Sequence, residues 1–311
     1  MSLWPAALAL GAAGGVVFLP QLLEAARRPA DGRARISAPG QFVELSDGTV
    51  HYRWHGPGRG PVVVCVHGLS TPSFVWDAVA RRLASMGFRV LTYDLWGRGY
   101  SDNPERPHDR ALFLRQLDEL LATQGIERDF TLFGYSMGGS IATAYAAENA
   151  PRMRRLVLVA SASLGHVETR FAHFCRTRPV IGDWAMTVAG GFLLRRLLRR
   201  QIRTHPDLVP IIRRQMAETR RRGFARAVLS SMRHMLAEDL ADEHARVAAA
   251  GLPVLALWGD RDPVIPLSSV GRLARIDRDA RQVTVAGGDH LLPLARAEAV
   301  VTAFLEEAGV G

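Results

Sequence analysis

Ser136 stands in the run Gly134-Tyr135-Ser136-Met137-Gly138-Gly139, directly after the apolar segment Phe130–Phe133 and directly before a helix-forming stretch. A serine on a tight strand-to-helix turn projects its hydroxyl above the sheet, and the flanking glycines carry no Cβ to crowd it. The next N–H, that of Met137, opens a helix, where developing negative charge is favoured. A hydroxyl becomes a useful nucleophile only beside a base that a third group orients. Both partners follow along the chain. The run Gly259-Asp260-Arg261-Asp262-Pro263 carries two acids past a strand, and Gly287-Gly288-Asp289-His290 delivers a histidine past the last one. Asp262 precedes a proline, which holds its backbone extended and gives its side chain a defined direction. Asp260 reads better as a turn former bonded to nearby backbone. Asp262 is therefore favoured as the orienting acid and His290 as the base. Upstream, the strand Val62–Val66 ends in His67-Gly68-Leu69-Ser70, where the N–H of Leu69 is placed as a second oxyanion donor. His67 precedes the nucleophile, out of the order Ser, acid, His, and is read as structural.

These groups meet only if the chain alternates strand and helix. Phe42–Leu45 and Val50–Trp54 flank an Asp-Gly turn and predict a hairpin. Val62–Val66, Val90–Tyr93, Phe130–Phe133, Leu156–Ala160, Val254–Trp258 and Val283–Val285 are apolar runs of strand length. Helical spacing falls between them at Phe74–Leu83, Leu112–Leu121, Ile141–Ala147, Ser269–Ile276 and Ala295–Leu305. That alternation predicts an α/β fold, a mostly parallel twisted sheet of about eight strands flanked by helices. Residues 166–235 interrupt it with a helical block lacking strand signals, so the core is expected over 42–165 and 236–311, with 166–235 an insertion.

With 48% hydrophobic and 22% charged residues, the composition is globular and excludes a disordered or fibrous chain. Cys65 and Cys175 are too few for a disulfide framework, and Cys65 reads as a small buried hydrophobe. The net charge of +9 is uneven: residues 166–235 hold fifteen Arg against Glu168, Asp183, Asp207 and Glu218, and the rest of the chain sums to −2. The sequence contains no Lys, so a single arginine says little about recognition.

The segment Phe192–Arg203 pairs Leu with Arg at amphipathic spacing. It is expected to be a lid helix with its apolar face over the site, or an interfacial helix meeting anionic headgroups. Nucleic-acid binding is the weakest reading, since no binding motif is present. Residues 1–23 carry no side-chain charge and 3–19 are almost wholly apolar, followed by Arg27, Arg28, Arg33 and Arg35. A signal peptide would want a basic start and a cleavage site, and an amphipathic helix would want a polar face. A membrane anchor over residues 1–28 fits better, with 29–41 as linker and the catalytic domain cytoplasmic by the positive-inside rule. A membrane surface met through residues 3–23 and the basic insertion is the partner this suggests, beside a small acyl substrate.

Four motifs in order at matching strand ends make the sequence resemble the α/β-hydrolase family from about Phe42 to the C-terminus. They are His67-Gly68, the run Tyr93–Asp102 with its Asp94, Gly134–Gly139, and the pair Gly259–Pro266 and Gly288–His290. The closest branch in pattern is that of serine hydrolases, esterase- and lipase-like, with a helical cap after the sixth strand. The resemblance implies a triad of Ser136, Asp262 and His290, an oxyanion hole from Leu69 and Met137, and a structural role for Asp94. Ser136 disfavours the relatives that use aspartate as nucleophile. The implied activity is hydrolysis of carboxylic esters, such as a monoacylglycerol or another apolar acyl substrate, through an acyl-enzyme, with no cofactor and no metal. A carbon–carbon bond hydrolase uses the same triad. A non-catalytic accessory protein would usually have lost one of its members.

Overall fold

The structure is a computed structural model that describes residues 17–29, 35–36 and 38–309. Its centre is one sheet of eight strands in the order β1-β2-β4-β3-β5-β6-β7-β8. Gln41–Leu45 (β1) and Gly48–His55 (β2) form the expected hairpin, with Leu45 opposite Gly48. Val62–Val66 (β3), Arg89–Tyr93 (β4), Phe130–Tyr135 (β5), Met153–Val159 (β6), Val254–Gly259 (β7) and Arg281–Val285 (β8) follow. β2 pairs antiparallel with β4, and every pairing from β4 through β8 is parallel. β5 and β7 are buried at every position. That burial is why their sequences read as unbroken apolar runs rather than alternating ones.

Helices Asp77–Ser85 (α1), Arg110–Thr123 (α2) and Met137–Asn149 (α3) alternate with the strands. The helix expected over Phe74–Leu83 starts as a 3₁₀ turn, Ser73–Trp76, before α1. α2 is capped by Asp109, whose carboxylate accepts from the N–H of Leu112. After β6 the chain leaves the sheet through Arg170–Thr177 (α4), Ile181–Ala185 (α5), a π-turn, Gly191–Thr204 (α6), Val209–Glu218 (α7) and Phe224–Arg233 (α8). This is the helical cap. Ala241–Ala249 (α9), for which the sequence offered no signal, leads back to the sheet. Ser268–Ile276 (α10) follows β7, and the closing helix is two pieces, Leu292–Ala295 (α11) and Ala297–Ala308 (α12), broken where Arg296 leaves helical geometry. In α6, Leu198 is buried and Leu194 and Ile202 pack against the core, whereas Phe192 and Leu197 face outward. Cys65 and Cys175 are free and buried.

The membrane anchor is corrected by the structure. Residues 1–16 of that segment lie outside the described residues, as do 30–34 and 37 of the expected linker. The described remainder is helical only over residues 17–26, about 15 Å of rise against the ~30 Å of a bilayer core. Its end is fastened to the cap: Arg27 donates to the carbonyl of Thr187, Glu24 accepts from the N–H of Gly223, and Arg28 exchanges backbone hydrogen bonds with Arg220 and Arg222. Among the described residues no helix is long and apolar enough to cross a membrane. The expected placement, one N-terminal anchor holding a cytoplasmic domain at a membrane, is overturned.

Candidate active site

The strand order reverses between β3 and β5, so the connections that leave their carboxyl ends run in opposite directions and leave a crevice, the place where open α/β sheets bind ligands. β5 delivers Ser136 into it. Ser136 has φ 54° and ψ −121°, outside the regions comfortable for a residue with a Cβ. Such a backbone costs on the order of 1–3 kcal/mol and persists because its surroundings fix it. The N–H of Ser136 donates to Val159 O at 3.1 Å, and its carbonyl accepts from Gly139 and Ala162. The glycines are needed for close approach: a Cβ on Gly138 would lie 2.2 Å from the carbonyl oxygen of Val66, and one on Gly134 would lie 2.5 Å from that of Gly138.

The hydroxyl of Ser136 is 3.1 Å from Nε2 of His290, and Nδ1 of His290 is 2.8 Å from Oδ2 of Asp262. The three residues singled out in the sequence therefore meet. Asp262 has a side chain only 1% exposed, and its other oxygen accepts from the N–H groups of Val264 (2.7 Å) and Ile265 (2.9 Å). Those two bonds fix the carboxylate, so Oδ2 has one orientation to offer the imidazole. Asp260 is exposed, and its N–H reaches toward Val285 O. The geometry thus separates the two acids in the sense the proline indicated.

Leu69 and Met137 carry N–H groups with no protein acceptor among the described residues. Their loops adjoin the serine: a Cβ on Gly68 would lie 3.1 Å from that of Ser136. The Leu69 loop is braced from behind by His67, whose Nδ1 donates to Gly68 O while Nε2 accepts from the N–H of Leu95. Burial pushes His67 down to about 4, so it stays neutral and holds the tautomer this bracing requires. Asp94 is a buried hub that accepts from His51, from the N–H of Ser73 and from that of Tyr100. The hydrogen bond from His51 and that residue's positive charge outweigh burial and hold its carboxyl well below the usual range.

Three contributors had no clear signal in the sequence. Tyr135, the variable residue before the serine, lies against the His290 ring at 5.2 Å between centroids, and its hydroxyl donates to His290 O at 2.9 Å. It holds the loop that carries the imidazole. Arg98 is fully buried and donates through Nε to Leu69 O at 3.0 Å and through Nη2 to Ser231 Oγ in α8 at 2.8 Å. Burial lowers its guanidinium to about 9. His205, at the end of α6, lies 2.7 Å from Asp289, the neighbour of His290. These long-range partners become adjacent only when the fold is complete, so spacing along the chain could not reveal them.

A hydroxyl paired with an imidazole that is itself pinned by a fixed carboxylate, beside two free N–H groups, can attack a carbonyl carbon and hold the resulting oxyanion. Comparison with known proteins agrees with the fold. A pimeloyl-[acyl-carrier protein] methyl ester esterase of Vibrio vulnificus is 24% identical over 264 residues, covering 82% of this chain and 97% of that protein. An enol-lactonase from Burkholderia xenovorans superposes with a TM-score of 0.71 at 25% identity, covering 86% of this chain and 100% of that one. An uncharacterized protein of Mycobacterium tuberculosis is 35% identical over 104 residues, 33% of this chain, so the match spans under a third of that relative's length. Residues 61–297 match the family described by the alpha/beta hydrolase fold, and with the sheet order and the cap after β6 already established, the chain belongs to that family.

Proposed function

We propose that this protein is a serine hydrolase that cleaves carboxylic esters through an acyl-enzyme, with Ser136 as nucleophile, His290 as general base and Asp262 as its orienting acid. The observation that carries the proposal is the continuous relay from Ser136 through His290 to the buried Asp262, at 3.1 and 2.8 Å. The names of two relatives, a methyl ester esterase and an enol-lactonase, both specify ester-type bonds and support the same reading.

In this reaction the Ser136 hydroxyl gives its proton to Nε2 of His290 as Oγ bonds to the carbonyl carbon. The carbonyl π electrons move to oxygen, and that oxyanion sits between the N–H groups of Leu69 and Met137. The intermediate collapses, the carbon–oxygen bond to the alcohol breaks, and the imidazolium protonates the departing alkoxide. Water then gives a proton to His290 as its oxygen bonds to the acyl carbon, the bond from that carbon to Ser136 Oγ breaks, and the imidazolium returns its proton to Oγ, which frees the acid and the serine. Asp262 stabilises the imidazolium at both stages and keeps its carboxylate charge.

The test has two parts. A fluorophosphonate probe should label the wild type and leave Ser136→Ala unlabelled. p-Nitrophenyl esters of increasing acyl length should then be turned over by the wild type alone. Labelling that survives in Ser136→Ala, or a wild type inert to the whole ester series, would remove the proposal.

A further inference from the structure

The cap segment that runs from His205 through α7 lies against the loops around the crevice. At its start His205 is bonded to Asp289 beside His290, and at the end of α7 Glu218 accepts from the N–H of Gly99. Between them Arg214 lies 4.2 Å over the ring of Phe74, just past the Leu69 loop. The buried face of this segment carries Leu208, Ile212, Gln215 and Thr219, one residue every three or four positions. Leu208 and Ile212 are apolar. Thr219 is satisfied, since its hydroxyl donates to Met216 O and accepts from Arg195.

Gln215 differs. It is 5% exposed, and its Nε2 reaches Ser70 Oγ at 3.3 Å, next to the oxyanion-loop residue Leu69. Its carbonyl Oε1 is buried and has no partner among the described residues. Buried amide carbonyls are nearly always hydrogen-bonded, and leaving one unmade is costly. Thr219 on this face and Glu218 beside it are already engaged, so the Gln215 carbonyl is an unmet buried acceptor held beside the Leu69 loop, which is the character of a recognition group in a ligand site.

We propose that Gln215 determines specificity by accepting a hydrogen bond, through Oε1, from a hydroxyl or N–H carried close to the scissile carbonyl of the substrate. The inference rests on the ester hydrolase reading and narrows it: the preferred substrates are apolar acyl esters bearing one such donor, rather than plain alkyl esters. A substrate lacking the donor leaves Oε1 unmet in a closed site and is discriminated against on that account.

The test uses ester pairs that differ only by hydroxyl for methyl. Hydroxyethyl and propyl octanoate place the donor on the alcohol side; methyl α-hydroxyoctanoate and methyl α-methyloctanoate place it on the acyl side. The wild-type ratio of kcat/KM, hydroxyl over methyl, should fall about tenfold or more in Gln215→Met for at least one pair. Gln215→Glu keeps an acceptor and should retain most of the ratio. Ratios in Gln215→Met equal to wild type for both pairs would overturn the inference, as would equal losses on all four esters. A second measurement needs no turnover: affinities of the four esters for Ser136→Ala and for Ser136→Ala/Gln215→Met. A hydroxyl preference in the first that is lost in the second sustains the role of Gln215 even if the wild type hydrolyses none of them, in which case the ester reading alone falls; a preference that survives in both overturns that role. Equal affinities within both pairs overturn the role of Gln215.

Discussion

Replacing Asp262 by asparagine is the sharpest test of the relay, because the structure dictates which way the new amide must face. Oδ1 of Asp262 receives two backbone N–H groups, from Val264 and Ile265, and Oδ2 receives Nδ1–H of His290. An amide has one acceptor end. Turning its NH₂ toward the two backbone donors would leave both without an acceptor, at about 1–3 kcal/mol each. The oxygen therefore stays with the backbone and the NH₂ faces His290. The imidazole can accept that donor only at Nδ1, which moves its proton to Nε2, and a protonated Nε2 cannot take the proton of Ser136. Loss of the reactive tautomer should lower kcat about ten-thousand-fold, some 5.5 kcal/mol of activation free energy. The side-chain volume and the two backbone hydrogen bonds survive, so Tm should change by less than about 2 °C. The assay is steady-state hydrolysis of p-nitrophenyl butyrate near neutral pH by wild type, Asp262→Asn and Asp260→Asn. The exposed Asp260 should tolerate the same change within about twofold. An Asp262→Asn enzyme within tenfold of wild type, or an Asp260→Asn enzyme equally impaired, would refute the argument.

Other perturbations follow from the same geometry. Ser136→Gly relieves the backbone at φ 54° and ψ −121° and should raise Tm by about 2 °C while abolishing turnover; a lower Tm in thermal melts would deny the strain. Gly138→Ala drives a methyl into the carbonyl of Val66, which precedes the Leu69 loop, so calorimetry should find a lower Tm and kinetics a kcat reduced about a hundredfold. Glu218, at the cap–core contact, is raised to about 7, mainly by burial. Between its ordinary value of 4.5 and 7 the folded chain binds more protons than the unfolded one, so this residue's contribution to stability declines as pH rises through that window. Glu218→Gln should therefore stabilise the protein by up to about 3 kcal/mol at pH 8 and leave it nearly unchanged at pH 4 in denaturant titrations, and an equal effect at both pH values would count against it.

The sheet was legible because its strands are short, apolar and separated by helical spacing; Val62–Val66 is bounded identically in sequence and structure. The chemistry was legible for a related reason. Turns at strand ends are local, and Gly134–Gly139 and Asp262-Pro263 encode their own geometry. Helix α9 was missed because Ala-rich Ala241–Ala249 buries only Glu243, His244 and Val247, too few apolar positions to mark a periodic face. The N-terminal segment misled for the opposite reason. Low charge was read as affinity for lipid, whereas the part that is described ends in Glu24, Arg27 and Arg28, whose bonds run to the cap. Gln215 and Tyr135 were invisible because a glutamine on a helix and a tyrosine at a variable motif position acquire meaning only from what they face.

The cap's charge was the other feature that the sequence exposed without explaining. Counted as charge, its arginines suggest an anionic surface to be met. Several act instead as many-pronged donors to neutral oxygen, a use that a guanidinium's fixed fork allows and an ammonium's single centre serves poorly. Arg233 donates to the carbonyls of Cys175 and Arg176 as well as to Asp183, and so ties α8 to the end of α4 and to α5. Arg98, in the core, does the same in the most consequential place. Its partners are Leu69 O, Trp96 O, His108 Nδ1, Ala227 O and Ser231 Oγ, with no carboxylate among them. A buried cation held by neutral acceptors is costly to maintain if any one of them moves. The position of α8 and the orientation of the Leu69 peptide are therefore coupled through a single side chain, and with Gln215 reaching Ser70 from α7, the cap and the Leu69 loop form one mechanical unit rather than a lid resting on a finished site.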